Sequence, residues 1–347
     1  MSKNTYTIGF PRIGEKRELK KALERYWAKK SSFEELREVA SSLKKRHWNY
    51  QKDAGMEFIS SNDFSFYDNM LDTSVMLGAI PERFLALERE ELYFTMARGD
   101  ATRVAMEMTK WFNTNYHYIV PELSRKDIYT LNAQKILDEY KEAKEQGIKT
   151  KINLIGPLSY LGLSKSVENE DTYTYIDKIL PLYEELLGRI SELDEEVYIQ
   201  IDEPIFVKDL EPKVLSLIKP IYDKLAKVSS NIKIIVATYF EHSSEASKIL
   251  VHTPIWGVGL DFLYGEENLE SLPLIAKAGK KLIAGLVDGR NIWKNDINKS
   301  VKILNEIAQY LDKEDIYISS SSSLRAVTSS VFGKVALSTT KEWYRVA

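Results

Sequence analysis

Short runs of β-branched and apolar residues alternate with amphipathic segments along almost the whole chain of 347 residues. This alternation argues for parallel strands joined by crossover helices. The predicted strands are residues 6–11, 57–61, 115–120, 151–156, 197–202, 232–239, 256–262, 281–287 and 315–319. Amphipathic helices are predicted near 17–29, 33–53, 68–78, 131–146, 173–193, 212–228, 244–250, 267–278 and 296–311.

Nine strand candidates are one too many for a (β/α)8 barrel. Segment 115–120 is the one to remove, because its Tyr-His-Tyr sequence and the following Pro121 suit a loop or an edge piece better than a buried parallel strand. No Pro-, Gly- or Ser-rich linker divides the chain. We therefore predict an α/β fold, a TIM-type (β/α)8 barrel, with residues 1–347 forming a single domain.

The composition is that of a globular protein, with 44% hydrophobic residues and a formal net charge of −3. This balance gives no general attraction for nucleic acids or membranes, so we expect neither as a partner, and any anion site must be local. The absence of cysteine excludes disulfides and thiolate metal sites. His47, His242 and His252 show no metal-binding spacing. Without an apolar signal segment, we expect a cytoplasmic location.

The start of the first predicted helix is a candidate anion site. It follows a Gly-Pro turn at residues 9–14 and carries Arg17, Lys20 and Lys21. The first N–H groups of a helix lack partners within the helix, and the dipole is positive at that end, so carboxylates or phosphates are favoured there. The alternative is a solvated basic surface, which Lys-rich helix faces usually are.

Polar residues follow most predicted strands, at the barrel end where active sites of this fold lie. Asp202 and Glu203 suggest a two-carboxylate mechanism, but adjacent strand residues point to opposite faces and do not form an acid/base pair. The alternative role for Asp202 or Glu203 is a structural hydrogen bond to a neighbouring strand or loop. The possible barrel-mouth residues outside the helix start are Asn115, His117, Asp202 and Glu203.

An aromatic and amide-rich segment at residues 110–118 contains Asn115 and His117. Such a segment can hold a planar ligand or pack down on the barrel. One interpretation is therefore a free-standing, metal-independent barrel enzyme in which Asp202 or Glu203 and His117 act as acid and base. A purely structural docking module is another alternative.

Several long motifs resemble the cobalamin-independent methionine synthase family. They occur in the family's order and cover nearly the whole chain. These motifs are Gly-Phe-Pro-Arg-Ile-Gly at 9–14, Arg-Glu-Leu-Lys-Lys at 17–21, and the segments 63–68, 80–84, 108–118, 155–157, 200–204, 238–241 and 289–291.

The resemblance implies a methyltransferase of two similar barrels, which transfers methyl from 5-methyltetrahydropteroyltriglutamate to homocysteine. This chain resembles the N-terminal barrel, so a C-terminal catalytic barrel, in cis or in trans, is its implied partner. The chain is expected to be inactive alone and to contain no catalytic residue. The implied site for the polyglutamate tail of the methyl donor consists of Arg17, Glu18, Leu19, Lys20 and Lys110.

The family's C-terminal barrel holds zinc through His, Cys, Glu and Cys. In this chain the corresponding positions are Ala237 or Thr238, Tyr239, Asp261 and Ser322. Such a set cannot bind zinc tightly, so the zinc site is expected to be vestigial, with zinc only in the missing half. The family's Leu-His-x-Pro sequence is replaced at 325–328, and 341–347 resembles the start of the inter-domain helix. We therefore expect a fragment or a split-gene product.

Overall fold

The computed structural model describes residues 4–291 and 293–324. Its strands are β1 (Thr5–Tyr6), β2 (Ile59–Ser61), β3 (Met108–Lys110), β4 (His117–Ile119), β5 (Glu122–Leu123), β6 (Thr150–Ile155), β7 (Lys165–Ser166), β8 (Val197–Asp202), β9 (Ile232–Ala237), β10 (Gly257–Asp261), β11 (Lys281–Val287) and β12 (Ile316–Ser320). The helices are α1 (Glu18–Trp27), α2 (Phe33–Asp53), α3 (Asn69–Leu77), α4 (Arg89–Arg98), α5 (Gln134–Lys144), α6 (Pro157–Gly162), α7 (Ile176–Ser191), α8 (Pro212–Leu225), α9 (Ser244–Leu250), α10 (Leu272–Lys277) and α11 (Ile297–Ile307).

Eight parallel strands form the barrel, in the order β1, β12, β11, β10, β9, β8, β6, β2. A parallel bridge between Tyr6 and Phe58 closes the ring between β1 and β2. Two backbone hydrogen bonds support it, from Thr7 N to Phe58 O at 3.2 Å and from Phe58 N to Thr5 O at 3.0 Å. The predicted (β/α)8 architecture is confirmed.

The ninth strand candidate lies outside the barrel, as predicted. β4 pairs in antiparallel register with β3, forming a hairpin in which Lys110 is opposite His117. The alternation pattern does not predict α4 or α6. Helix α4 follows α3 with no barrel strand between them, so strand–helix alternation does not predict it. Helix α6 is only six residues long, which is too short to show a helical periodicity.

The barrel interior is partly polar. Lys151 is 1% exposed, and its Nζ donates to Ser60 Oγ at 2.8 Å and to Asn153 Oδ1 at 2.5 Å. The Tyr6 hydroxyl donates to Gln200 Oε1 at 2.8 Å. Buried polar groups of this kind require such partners, so the network fixes side-chain positions below the mouth.

Among the described residues, no helix is both long and apolar enough to cross a membrane. The sequence expectations for segments 325–328 and 341–347 concern residues outside the described part of the chain.

Candidate functional site

The predicted anion site at the start of α1 is divided between exposed and buried residues. Arg17 precedes the helix with φ 59°, in the left-handed region, and its side chain is exposed. Lys20 is also exposed, and its Nζ lies 3.7 Å from Glu24 Oε1, with both side chains about half exposed, at 49% and 57%. An exposed pair of this kind contributes little to stability, so Lys20 remains able to bind another anion.

Glu18 and Leu19 hold this helix start in place. The Glu18 carboxylate accepts a hydrogen bond from Lys16 N at 2.9 Å, and Arg46 Nη2 donates to it at 2.7 Å. Burial opposes ionisation of Glu18, but the Arg46 guanidinium and the N–H groups outweigh this effect and lower its pKa. Leu19 is fully buried in the apolar cluster between α1 and α2. Of the four predicted tail-site residues in this segment, Arg17 and Lys20 are therefore the two whose side chains face solvent, and the neighbouring Lys21 is exposed as well.

Lys110 belongs to a different element, the β3–β4 hairpin. Its side chain and that of its cross-strand neighbour His117 are both exposed. The opposite face of the hairpin is apolar, with the rings of Trp111 and Tyr118 meeting edge to face at 5.5 Å. Asn115 lies in the connecting loop, where its carbonyl oxygen is 3.1 Å from His117 Nδ1. The hairpin thus packs through its aromatic residues and presents Lys110 and His117 to solvent.

The loop of the hairpin reaches the carboxyl ends of β9 and β11. The rings of Phe112 and Phe240 are 5.4 Å apart, and both residues have positive φ, 52° and 95°. Arg290 Nη2 donates to Asn113 Oδ1 at 2.5 Å, and its guanidinium lies 4.8 Å from the Tyr264 ring centroid. Backbone strain at bulky residues persists only where the surroundings enforce it. The contacts of Phe112 with Phe240 and of Asn113 with Arg290 therefore place the hairpin across the part of the barrel mouth formed by β9 and β11.

Asp68 anchors the hairpin to α3, a role the sequence reasoning missed. Its Oδ1 accepts from Met70 N at 2.7 Å and Leu71 N at 3.0 Å, which caps α3. Its Oδ2 accepts from Ile119 N of β4 at 3.0 Å. Aspartate before an apolar helix is a recognised cap signal, but nothing local indicates the second partner, 51 residues away.

Asp202 and Glu203 point in opposite directions, as strand geometry requires. Asp202 is fully buried in the barrel interior, where Gln200 Nε2 donates to it at 2.5 Å. Glu203 points outward to the start of α6. It accepts hydrogen bonds from Leu158 N at 3.1 Å, Ser159 N at 2.6 Å and the Tyr222 hydroxyl at 2.8 Å. Burial raises the pKa of Glu203 to about 7 against the effect of these donors.

The positions that the sequence resemblance pairs with the family's zinc ligands do not form a metal-binding set among the described residues. Asp261 is fully buried and accepts from the N–H groups of Leu263 at 2.9 Å and Tyr264 at 3.1 Å. The Thr238 hydroxyl lies 2.7 Å from Ser243 Oγ. Ala237 and Tyr239 are buried apolar or aromatic residues, and Ser322 Oγ is buried without a partner among the described residues. The set thus offers one carboxylate, that of Asp261, which already accepts hydrogen bonds from backbone N–H groups, and the hydroxyls of Thr238, Tyr239 and Ser322. These groups do not replace the thiolate ligands of a zinc site.

Over residues 4–291 and 293–324, no group of three or more His, Cys, Asp or Glu side chains is arranged to hold a metal ion.

We expect Asp261 to make stability depend on pH. Burial raises its pKa to about 7, despite the N–H groups that it accepts from, whereas in the unfolded chain its pKa is about 3.9. Between these two pKa values, the Asp261 carboxyl group is protonated in the folded state and ionised in the unfolded chain. Raising the pH therefore favours the unfolded chain, and the stabilisation that Asp261 gives to the folded state is lost. Relative to Asp261→Asn, the wild type should lose about 2 kcal/mol of unfolding free energy between pH 5 and pH 7. Urea denaturation at both pH values measures this; equal pH slopes in the two proteins would contradict it.

Comparisons with known proteins agree with the motifs. The family described as "Cobalamin-independent synthase, N-terminal domain" matches residues 4–312. A 5-methyltetrahydropteroyltriglutamate–homocysteine methyltransferase from Desulforamulus reducens is 58% identical over 322 residues, which are 92% of this chain and 42% of that protein. The enzyme of the same name from Catharanthus roseus is 44% identical over 329 residues, with 92% and 43% covered. The chain thus spans less than half the length of these curated relatives.

A solved structure supports the fold. A B12-independent methionine synthase from Shewanella sp. W3-18-1, in complex with selenomethionine, superposes with a TM-score of 0.71 at 14% identity, covering 99% of this chain and 97% of that chain. At this identity the likeness concerns the fold alone. Family match and sequence identity lead to the same conclusion: the chain belongs to the cobalamin-independent methionine synthase family, and it corresponds to the N-terminal domain of its longer members.

Proposed function

We propose that this chain is the half of a cobalamin-independent methionine synthase that binds the polyglutamate tail of 5-methyltetrahydropteroyltriglutamate and orients a second, catalytic barrel. The observation that carries the proposal is the arrangement at the start of α1. Glu18 and Leu19 are fixed by Arg46 and by the apolar cluster, while Arg17 and Lys20 beside them stay exposed. The site therefore presents cations on a rigid support.

The chemistry of the tail suits this arrangement. Each glutamate carries a carboxylate, and carboxylates bind most strongly to guanidinium groups, ammonium groups and helix N-termini. Arg17 offers a planar fork of N–H donors, and Lys20 a compact charge one helical turn away. Lys110, on the hairpin that Asp68 anchors, supplies a further cation from a separate element. We therefore assign these three side chains to the tail and assign Glu18 and Leu19 a positioning role.

Methyl transfer itself is assigned to the partner barrel. In the whole enzyme, zinc lowers the pKa of the homocysteine thiol and so makes it nucleophilic. Here the equivalent positions include Thr238, Asp261 and Ser322, which do not fit such an ion. We propose that the chain alone does not turn over and that its zinc site is vestigial.

The tail site predicts a charge-dependent affinity for the folate. Titration of the chain with methyltetrahydrofolate triglutamate, followed by calorimetry at low salt, should give saturable binding. Because each substitution removes one cation facing the tail, Lys20→Ala and Lys110→Ala should each weaken binding by about tenfold. Higher salt should weaken binding to the wild type.

Lys277→Ala is the matched control, since Lys277 is an exposed lysine at the end of α10, and its affinity should equal that of the wild type. Unchanged weak binding in all four proteins would refute the tail site. Co-purification with a zinc-containing partner, without folate affinity, would favour a pure docking role. Turnover by the chain alone, lost in Asp202→Asn, would favour an independent barrel enzyme.

A further inference from the structure

Lys110 and His117 lie directly opposite each other on the two strands of the β3–β4 hairpin. The next pair along the ladder is hydrogen-bonded, since Trp111 N donates to Tyr116 O at 2.7 Å. Hydrogen-bonded and non-hydrogen-bonded pairs alternate in an antiparallel ladder, so Lys110 and His117 form a non-hydrogen-bonded pair. In such a pair the side chains are closest, with Cβ atoms about 4.5–5.5 Å apart. The ammonium group and the imidazole can therefore reach the same bound group.

Both side chains of this pair are exposed. Within residues 4–291 and 293–324, neither of them forms an ion pair. An ammonium group beside an imidazole, with no carboxylate between them, attracts an anion and repels a cation. The pair therefore suits a carboxylate ligand.

One ring nitrogen of His117 is already used within the hairpin. Nδ1 lies 3.1 Å from the carbonyl oxygen of Asn115. Because a carbonyl oxygen only accepts, Nδ1 carries the hydrogen of this bond. Nε2 is then an acceptor in the neutral ring and a donor only in the protonated ring. Donation from Nε2 to a carboxylate therefore requires the ring to take up a proton.

The carboxylates nearest to the hairpin strands have other partners. Glu107 lies three positions before Lys110, so strand alternation places its side chain on the other face, where its carboxylate binds Lys165 Nζ at 3.1 Å. Asp68 reaches β4 at Ile119 N and also caps α3. Neither carboxylate competes with a ligand for the exposed pair.

The loop of the hairpin has a positive surrounding. Arg290 Nη2 donates to Asn113 Oδ1 at 2.5 Å, and Lys208 Nζ lies 5.3 Å from the centroid of the Phe112 ring. Asp288 is the carboxylate next to them, accepting from Arg290 N at 2.8 Å. The two cations and one carboxylate leave a net charge of +1 here, which adds to the attraction for an anion.

We propose that His117 is a further residue of the tail site: in its protonated form it donates from Nε2 to the tail carboxylate that the Lys110 ammonium group also binds. The inference rests on the proposed function, because it takes the polyglutamate tail as the ligand. Only the protonated ring can donate from Nε2, so the bound tail stabilises the proton on His117. The affinity for the tail therefore increases as the pH falls, and binding near neutral pH takes up protons from the buffer.

Calorimetric titration with methyltetrahydrofolate triglutamate at pH 6 and pH 8 tests this inference. Histidine side chains gain their charge across this interval, so the wild type should bind about fivefold more tightly at pH 6. In His117→Gln the difference should disappear, and the affinity at both pH values should equal that of the wild type at pH 8. His117→Arg keeps a cation at both pH values and should bind at both about as tightly as the wild type at pH 6.

Titrations at pH 7 in buffers of different ionisation enthalpy measure the proton uptake directly. The wild type should take up protons on binding, and His117→Gln should take up fewer. His252→Gln is the matched control, because His252 is exposed and lies between α9 and β10, at the end of the strands opposite the mouth. This variant should keep the pH dependence and the proton uptake of the wild type.

The outcomes separate this inference from the tail site itself. If His117→Gln kept the pH dependence of the wild type, His117 would not bind the tail, whereas weaker binding by Lys110→Ala would still support the tail site. Weak binding at pH 6 by both His117→Arg and His117→Gln would indicate a purely structural role and would also overturn the inference. The absence of saturable binding by the wild type at both pH values would overturn the tail site and this inference together.

Discussion

Gly156→Ala is expected to lower the free energy of unfolding by about 4 kcal/mol. A Cβ at this position would lie 2.1 Å from Glu203 Cδ and 2.2 Å from its Oε1. Gly156 has an ordinary φ of −71°, so the cost is one of contact and not of backbone strain. The fully buried Glu203 carboxylate cannot move aside without losing the hydrogen bonds from Leu158 N, Ser159 N and the Tyr222 hydroxyl.

Gly188→Ala is the matched control for this prediction. Gly188 lies within α7, and an added Cβ there would meet nothing within 4 Å. Since alanine is the better helix former, this variant should be up to about 1 kcal/mol more stable than the wild type. Urea denaturation of both variants gives the comparison.

A double-mutant cycle tests the cause. Once Glu203→Ala has removed the carboxylate, adding Gly156→Ala should cost little, because the contact no longer exists. Additive losses in the double mutant would show that the Gly156 environment, and not Glu203, sets the penalty.

Asp68→Ala is expected to lower the free energy of unfolding by about 3 kcal/mol. It removes the cap of α3 and also leaves the N–H of Ile119, a residue 1% exposed, without its acceptor. Because Ile119 belongs to the strand opposite Lys110, the hairpin should loosen as well. Hydrogen exchange at the Ile119 amide measures this local effect, and chemical denaturation measures the global one.

Asp296→Ala serves as the comparison, since the exposed Asp296 side chain caps α11 by accepting from Lys299 N at 3.1 Å, its one hydrogen bond among the described residues. Its loss should be about 1 kcal/mol, the usual value for a helix cap. If Asp68→Ala were no more costly than Asp296→Ala, or if exchange at Ile119 stayed slow, the anchoring role of Asp68 would be wrong. A loosened hairpin should also weaken folate-triglutamate binding through Lys110.

Much of the fold was accessible from the sequence because it depends on local periodicity. Helix α2 occurs at the predicted residues, from Phe33 to Asp53, where Ser32 and Glu35 form a capping box. Strands β8 and β11 occur at the predicted residues, 197–202 and 281–287, since short runs rich in apolar residues mark buried parallel strands. The motif resemblance then identified the family, which the comparisons confirmed.

The sequence alone thus determined the barrel, the family and the candidate cations, because periodicity and motifs are properties of neighbouring residues. Only the tertiary structure decided what those residues contact. It placed Glu203 at the start of α6, placed Asp68 against a strand 51 residues away, and divided the helix start into exposed Arg17 and Lys20 and fixed Glu18 and Leu19. Contacts of this kind are set by packing between elements, which no local pattern encodes.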